Sequence, residues 1–340
     1  MKSNTVISIS TGTFLKAVGI ILVLGFLWYI KNIVAICLVS VLLATLIEPF
    51  AEWFAKRNIP RSISVLIVYI VLLSFITLIS VGIVPVITDQ FVQLTANSAT
   101  FTTDFFAAFS RVQSFSVQHG FSENMINSLQ SLQEGFSQSI GSVFTTVKGF
   151  FGGLATMLII FVLTFYMVAE GEKMQKYFKS LAPVYYQPYL SEMTKKIQIK
   201  IGAWLRGQLL LGFIIGLASF IILSILGVRY ALLLAIIAGF CEMIPYVGPI
   251  FAAIPAIIIA FVQSPILAIM VLVSYLVIQQ IENHLLVPTV MQKVTGLNLI
   301  VSIIALLVGV KIGGILGAFF AIPLATMLMV ILDDTFKAYQ

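Results

Sequence analysis

The sequence predicts an all-α integral membrane protein with several membrane-spanning helices. Of its 340 residues, 60% are hydrophobic and only 9% are charged, whereas a soluble domain carries roughly 25% charged residues. Several apolar runs reach the ~20 residues that a helix needs to cross a ~30 Å hydrocarbon layer. Short strands of alternating polarity, which build membrane β-barrels, are not seen. We therefore expect one polytopic membrane domain with about eight hydrophobic segments.

The apolar runs divide the chain into an amino-terminal group, 1–84, and a carboxy-terminal transport half, 149–340. Between them lies an insertion, 85–148, that is rich in Ser, Thr and Gln and carries four acidic residues against Arg111 and Lys148. The predicted hydrophobic segments are 15–30, 33–50, 63–84, 149–169, 208–227, 231–262, 266–286 and 297–332.

Basic residues predict which connections face the cytoplasm. The linker AEWFAKRNIPR, which begins at Ala51, carries three basic residues, and the segment 170–207 carries seven. Because cytoplasmic loops are enriched in Lys and Arg, both are predicted to be cytoplasmic and 85–148 to lie outside. The basic residues of the longer segment are Lys173, Lys176, Lys179, Lys195, Lys196, Lys200 and Arg206.

An apolar stripe runs through the outer insertion at the spacing of one helix face. Two interpretations are open for this amphipathic helix: it packs against the membrane domain or its surface, or it joins subunits in an oligomer. The stripe consists of Met125, Leu129, Leu132, Phe136, Ile140, Val143 and Val147.

Two apolar segments are too long to be single straight spans. As helices, 231–262 and 297–332 would measure ~48 Å and ~54 Å, and each contains its own breaker: PYVGP at 245–249 and GVKIGG at 309–314. Irregular backbone at membrane depth is tolerated only where it is buried in protein or lines a cavity, so paired breaks indicate a transport site. The alternative is a proline kink that neighbouring helices satisfy.

The residues of the first breaker predict how its turn is built. Pro245 lacks an amide proton, Gly248 is expected to take a positive φ, and Pro249 is expected to restart a helix. The freed backbone groups and the Glu242 carboxylate would then face a cavity instead of lipid.

Few ionisable residues lie within the predicted spans, and each is costly in lipid, so each is a candidate functional group. Glu242 precedes the first break and Lys311 lies inside the second. Tyr275, Gln279 and Glu282 are spaced four and three apart, which gives one helix a polar stripe. The stripe is either the lining of a polar pathway or, together with His284, an interfacial helix end.

Several kinds of chemistry are absent from the sequence. It has no GxxxxGK[ST] loop, no HExxH and no GxSxG motif, so we predict no ATP hydrolysis by that route, no enzyme activity, no catalytic residue, no metal site and no cofactor. The two cysteines, Cys37 and Cys241, lie in apolar runs, where a thiol behaves as a small hydrophobe. The net charge of +6 comes from the cytoplasmic lysines, so nucleic acid is not predicted as a partner.

Three motifs in the carboxy-terminal half resemble a known family. IPYVGP, an IEN followed by a proline, and the ending GGILGAFFAIPLA stand in the order and spacing of the autoinducer-2 exporter family of bacterial permeases. The general layout is also similar over nearly the whole chain. The positions that match the signature are Glu242, Pro245, Tyr246, Gly248, Pro249, Glu282, Asn283, Pro288, Gly313, Gly314, Gly317 and Pro323.

The resemblance implies a homo-oligomeric, multi-pass protein of the bacterial cytoplasmic membrane that exports a small polar signalling molecule without ATP hydrolysis. Three hypotheses remain open. In the first, a polar solute leaves through a cavity lined by the broken segments. In the second, Glu242 or Glu282 binds Na⁺, Li⁺ or H⁺ in an antiporter. In the third, the chain is a membrane scaffold that recruits partners. Lys311, Gly313 and Gly314 are expected to lie on the transport pathway with the first breaker.

Overall fold

The computed structural model describes residues 29–96, 154–291 and 297–337 continuously, together with some single positions between 12 and 26 and between 103 and 114. All regular structure in this described part is helical. Most of the predicted first span, 15–30, and the whole apolar stripe of the insertion lie outside the described residues.

The helices follow one another with short connections. A 3₁₀ turn, Val184–Tyr186, precedes α5, and a π-helical turn, Glu282–Leu286, joins α8 to α9. The helices are α1 (Lys31–Ala55), α2 (Arg61–Ala96), α3 (Leu154–Ala169), α4 (Gly171–Ser180), α5 (Gln187–Ile225), α6 (Ala231–Cys241), α7 (Gly248–Gln263), α8 (Pro265–Ile281), α9 (Val287–Met291) and α10 (Leu299–Lys337).

Length and composition make this a membrane protein with several spans. In the described part, four helical stretches are long and apolar enough to cross a membrane, and shorter apolar helices accompany them. Many large apolar side chains on these helices are exposed, as expected of surfaces that face lipid. The all-α polytopic fold predicted from composition is therefore confirmed. The four stretches are Lys31–Ala55, Val184–Ile225, Pro265–Met291 and Ile300–Asp334.

The amino-terminal helices α1, α2 and α3 pack around a small apolar core that includes Ile47, Val65 and Val168. Arg61, at the start of α2, forms an ion pair with Glu48 of α1, and its Nε donates to the Val168 carbonyl at 2.9 Å. This contact holds the linker after α1 and the start of α4 together. The two basic segments therefore lie at one end of the molecule, here called the basic end.

The long helix α5 organises the packing of the transport half. It extends the predicted span 208–227 back to Gln187, so that the last part of the basic segment and the span form one helix of 39 residues, ~58 Å long. Its first turns lie at the basic end and its last turns at the opposite end. Trp204, Leu205 and Leu211 are among its most buried side chains.

The predicted segment 231–262 folds back on itself as α6, a turn and α7, here called the first hairpin. If its amide nitrogen faces the Gly227 carbonyl, Gln263 donates to that oxygen at 3.2 Å and accepts from the Arg229 backbone amide at 3.0 Å. These residues would be ~50 Å apart in a straight helix. The base of this hairpin therefore lies beside the last turns of α5, and its tip points towards the basic end.

The predicted segment 297–332 also reverses, at Gly314, whose φ of 59° and ψ of −136° interrupt α10. Gly309 and Gly317 lie so close that a Cβ on either would overlap the backbone carbonyl of the other. We call α10, with its two arms, the second hairpin. Lys196 of α5 contacts Asp334 at 3.1 Å, so the base of this hairpin lies at the basic end and the two hairpins enter from opposite ends.

Candidate functional site

The turn between α6 and α7 interrupts the helix where the sequence predicts it, over residues 242–247. Pro249 stands in the first turn of α7, as expected of a residue that restarts a helix. One expectation about the turn is wrong. The positive φ, 66°, belongs to Tyr246 and not to Gly248, and Gly248 is needed because a Cβ there would overlap the Cys241 carbonyl oxygen.

Two buried carboxyl groups meet at this turn. Glu242, which directly follows α6, is 1% exposed, and Glu282, which directly follows α8, is 4% exposed. Their carboxyl groups lie within hydrogen-bonding reach of each other. A carboxylate has no hydrogen to donate, so a hydrogen bond between the two requires a proton on one of them.

Amide side chains surround the carboxyl pair. Gln208 of α5 is buried and donates through Nε2 to the Glu242 backbone carbonyl, one of the groups that the break in the helix frees. Gln279 Nε2 lies 3.3 Å from Glu282 Oε2 and 3.3 Å from Asn283 Oδ1. These contacts fix the positions of both glutamates.

The π-helical turn places Glu282 at the junction of α8 and α9. Such single-turn π segments interrupt the regular hydrogen-bond ladder and are frequent at functional sites. Tyr246, in the turn of the first hairpin, is close enough to Glu282 for their charges to interact. The π turn and the hairpin tip therefore face each other across the carboxyl pair.

Within the described ranges, neither glutamate forms a salt bridge with a lysine, arginine or histidine. Two ionised carboxylates buried without a positive charge would cost several kcal/mol. A shared proton or a small bound cation removes that cost. The pair is thus suited to take up and release a positive charge.

The remaining predicted residues lie in different places. Tyr275 is buried on α8, two turns before Glu282, and Pro245 is half-buried in the turn. His284 is exposed, with Nδ1 2.9 Å from the Gln280 carbonyl. The structure does not bring Lys311, Gly313 or Gly314 to the carboxyl pair: all three are exposed near the tip of the second hairpin.

The sequence interpretation missed two residues of α5, Gln208 and Ser219. Both are almost completely buried and lie on one face, eleven residues apart, with Gly212 and Gly216 between them. The two glycines contact the backbone of α6 at Gly239 and Ala235. A run of small and polar residues at helical spacing was the available signal, because such residues form close helix contacts in membranes.

A polar cavity lies in the described part, which contains no cluster of three or more potential metal ligands among His, Cys, Asp and Glu. The cavity has a volume of about 390 Å³ and lies at the base of the first hairpin. Gln90 of α2 reaches this base, where its Oε1 accepts from the Leu233 backbone amide at 3.1 Å. The lining residues are Gln90, Gln93, Arg229 and Tyr230.

Comparison with known proteins shows the family to which the chain belongs. A sequence model described as AI-2E family transporter matches residues 18–337. The chain belongs to the AI-2E transporter family. The match includes both hairpins, the π turn and the carboxyl pair, and with the spans described above it makes the chain a multi-pass membrane transporter of this family.

Relatives within the AI-2E family match most of the length of the chain. "Putative transport protein YrrI" of Bacillus subtilis (strain 168) is 27% identical over 331 residues, covering 94% of this chain and 92% of the relative. "Putative transport protein YueF" of the same organism is 28% identical, covering 88% and 83%. "Putative permease PerM" of Escherichia coli (strain K12) is 24% identical, covering 93% and 92%.

Proposed function

We propose that the chain is a proton-coupled secondary transporter that exports a small polar solute across the bacterial cytoplasmic membrane. The Glu242–Glu282 pair is its proton site, and the tip of the first hairpin is part of its solute site. Membership of the AI-2E family and the resemblance of the three motifs support autoinducer-2 as the first solute to test.

The observation that carries this proposal is the contact between two buried carboxyl groups that have no positive side chain beside them among the described residues. With one proton the pair is stabilised by its own hydrogen bond, and without it the two charges repel each other. Loss of the proton therefore changes the stability of the contact between the hairpin tip and the π turn. Coupling of this change to solute movement would make the export secondary, without ATP.

The helix break also supplies groups that suit a polar solute. Residues 242–247 leave the regular helical hydrogen-bond pattern. At the start of α7 the Gly248 amide donates to the Ile244 carbonyl and the Phe251 amide donates to the Val247 carbonyl. Pro249 has no amide hydrogen, so the Ile250 amide is the one left to face the turn. A helix amino terminus favours electronegative oxygen atoms. Hydroxyl or carbonyl groups of a solute can therefore replace water at this turn.

A second function, Na⁺(Li⁺)/H⁺ antiport, is favoured by the type of atoms at the site. The carboxyl oxygens of Glu242 and Glu282 and the amide oxygen of Asn283 lie in one cluster around Gln279 Nε2. Oxygen ligands suit hard cations such as Na⁺. A cation would then take the place of the shared proton.

The test uses purified protein in liposomes that contain a pH-sensitive dye or labelled autoinducer-2. We expect the wild type to release autoinducer-2 and to move protons in the opposite direction. Glu282→Gln keeps the shape and the contact with Gln279 but cannot exchange a proton, so we expect it to abolish coupled flux with normal expression. Glu170→Gln is the control, because Glu170 is exposed and pairs only with Lys173 in the described part.

Each result supports or contradicts one function. Proton movement driven by Na⁺ or Li⁺, with no autoinducer-2 release, would establish the antiporter and contradict the export proposal. Absence of every flux in well-folded wild-type protein would favour the scaffold hypothesis. Full activity of Glu282→Gln would exclude the carboxyl pair as the proton site. We also expect a homo-oligomer. Native mass spectrometry, in which the detergent is removed from the complex before its mass is measured, would test this.

A further inference from the structure

Three buried polar side-chain atoms in the described part have no hydrogen-bond partner of normal geometry: Ser219 Oγ, Glu242 Oε2 and Tyr275 Oη. Each belongs to a residue that is at most 8% exposed. An unsatisfied buried polar atom costs about 1–3 kcal/mol, so each of them requires a physical reason.

The three atoms lie along one surface of α5, which contacts both α6 and α8; we call this surface, with the side chains of α6 and α8 that face it, the seam. The Tyr275 hydroxyl is close to the Ser219 hydroxyl and to the Cys241 thiol, and Cys241 is followed directly by Glu242. The backbones of Gly212 and Gly239 touch, which holds α5 and α6 together beside the seam. The unsatisfied atoms therefore lie along one continuous surface.

The seam leads from the carboxyl pair towards the base of the first hairpin. Ser219 lies eleven residues beyond Gln208 on α5, ~16 Å along the axis, and Tyr275 lies seven residues before Glu282 on α8, ~10 Å along the axis. Both displacements point away from the basic end. The polar cavity lined by Gln90, Gln93, Arg229 and Tyr230 lies at that far end.

We propose that water molecules fill the seam and carry protons between the Glu242–Glu282 pair and the end of the molecule that holds the polar cavity. Tyr275 and Ser219 are the fixed relay residues of this route. The inference rests on the proposed function, because it assigns a path to the protons that the carboxyl pair exchanges.

The transfer balances at each hydroxyl. A hydroxyl oxygen accepts a proton from a hydronium ion on one side, which becomes water, while its own proton passes to a water on the other side, which becomes hydronium; the side chain ends uncharged. The last proton binds a carboxylate oxygen of the pair. A hydroxyl is both a donor and an acceptor of hydrogen bonds. The apolar side chains beside it, such as Leu223 and Val271, can do neither and so cannot pass a proton on.

Among the residues that the structure describes, few titratable groups face this route. From the first hairpin they are Cys241, Glu242 and Tyr246, and from α8 and the π turn they are Tyr275 and Glu282. The face of α5 contributes only the uncharged Gln208 and Ser219. Protons on this path therefore end at the carboxyl pair.

The first experiment measures proton and solute movement in Tyr275→Phe and Ser219→Ala. Each change removes one hydroxyl and little else, so we expect proton movement to slow by about tenfold or more while binding of labelled autoinducer-2 is unchanged. Ser274→Ala is the control, since its hydroxyl bonds only the Met270 carbonyl on its own helix in the described part. Wild-type proton rates in both variants would overturn the relay.

The second experiment tests whether the seam contains water, with the native Cys241 as the probe. Thiols react with N-ethylmaleimide as thiolates, which form in water and not in an apolar interior. Cys241 and Cys37 are both half-buried in the described part, so each is tested as the single cysteine, in Cys37→Ala and Cys241→Ala. Because the neighbouring Glu242 disfavours a thiolate at Cys241, the two rates are compared at high pH, where both thiols can ionise. There we expect faster labelling of Cys241; equal or slower labelling would overturn the hydrated seam.

The two experiments separate this inference from the proposed function. If the wild type moves protons and Cys241 is no more reactive than Cys37, the coupling stands and the route through the seam is wrong. If Cys241 reacts faster but the wild type moves no protons, both the coupling and the relay are contradicted.

Discussion

Gly248 ends the turn of the first hairpin at a point where the backbone leaves no room for a side chain. A Cβ there would overlap the Cys241 carbonyl oxygen, whereas Tyr246 takes the left-handed conformation. The identity of the glycine is therefore set by close approach between the end of α6 and the start of α7. Sequence reasoning singled out the residue but assigned it the wrong reason, because closeness across a turn depends on tertiary packing.

We predict that Gly248→Ala destabilises the protein by about 1–3 kcal/mol, the usual cost of overpacking. The physical reason is that the new methyl group forces α6 and α7 apart at the turn. Thermal unfolding of the purified protein in detergent measures the effect. Gly313→Ala is the matched control, since a Cβ at Gly313 meets no atom within 4 Å; equal stability of the two variants would contradict the close contact.

Gln208 shows what a single sequence hides at the residue scale. A lone glutamine in an apolar helix has no visible partner in the sequence, and its partner, the Glu242 carbonyl, is 34 residues away. The two glutamates, in contrast, were visible as candidates because a carboxyl group in an apolar segment is rare. That they meet depends on two breaks in different elements, which no periodicity reveals.

At the scale of elements, length and helix breakers predicted that 231–262 and 297–332 cannot be straight spans. They did not decide between a kink and a reversal, since either one allows a segment longer than the membrane is thick to fit within it. The reversals are held by contacts between residues far apart in a straight helix: Gln263 with Gly227 and Arg229, and Gly309 with Gly317. Propensity alone carries no information about such contacts.

A cross-linking prediction tests the first hairpin. We expect Arg229→Cys with Gln263→Cys, in a Cys37→Ala and Cys241→Ala background, to be joined by a short bismaleimide, because the two positions lie side by side at the hairpin base. In a straight helix they would be ~50 Å apart. Mass spectrometry of the digested protein detects the link.

The control for that cross-link pairs Gln263→Cys with Gln208→Cys. Gln208 contacts the tip of the hairpin and lies ~26 Å along α5 from the base, so this pair should not react with a short linker. Efficient linking of the control pair, or no linking of the first pair, would contradict the hairpin.

An ion pair between Lys196 and Asp334 joins the first turns of α5 to the base of the second hairpin, and its strength depends on pH. Hydrogen bonds from Lys196 to Glu192 and Asp334 raise the pKa of Lys196 above its ordinary 10.5. A raised pKa means that the stabilisation is present at neutral pH and is lost as the pH rises past the ordinary value and through the raised one. We predict that Lys196→Gln lowers the Tm at pH 7 and that its difference from the wild type shrinks towards pH 11.

Lys195→Gln is the control for this effect, since Lys195 forms no ion pair within the described ranges. Added salt should reduce the difference for Lys196→Gln, because exposed ion pairs are screened. A constant difference between pH 7 and pH 11 would show that the lysine acts through its hydrocarbon chain and not through its charge.

At the scale of the whole molecule, the two ends of the helix bundle differ in charge: basic residues lie at one end, and the base of the first hairpin lies at the other. Arg61 joins the linker after α1 to the end of α3 at the basic end, and Gln90 contacts the base of the first hairpin at the other. Arg61 and Gln90 are ~43 Å apart along α2, enough to cross the hydrocarbon layer. The charge pattern alone had predicted this separation of loops.

We therefore predict that Lys195 lies in the cytoplasm and Gln93 outside the cell. Single cysteines at these positions, in a Cys37→Ala and Cys241→Ala background, should react from opposite sides with a membrane-impermeant thiol reagent: Gln93→Cys in intact cells, and Lys195→Cys only after permeabilisation. The positive-inside rule gives the direction, and the opposite ends of the bundle require the two labels to differ. Labelling of both residues in intact cells would contradict the fold, and a reversed pattern would contradict only its orientation. In the reversed case the polar cavity and the proton route through the seam would open to the cytoplasm, and the exporter would have to release its protons there.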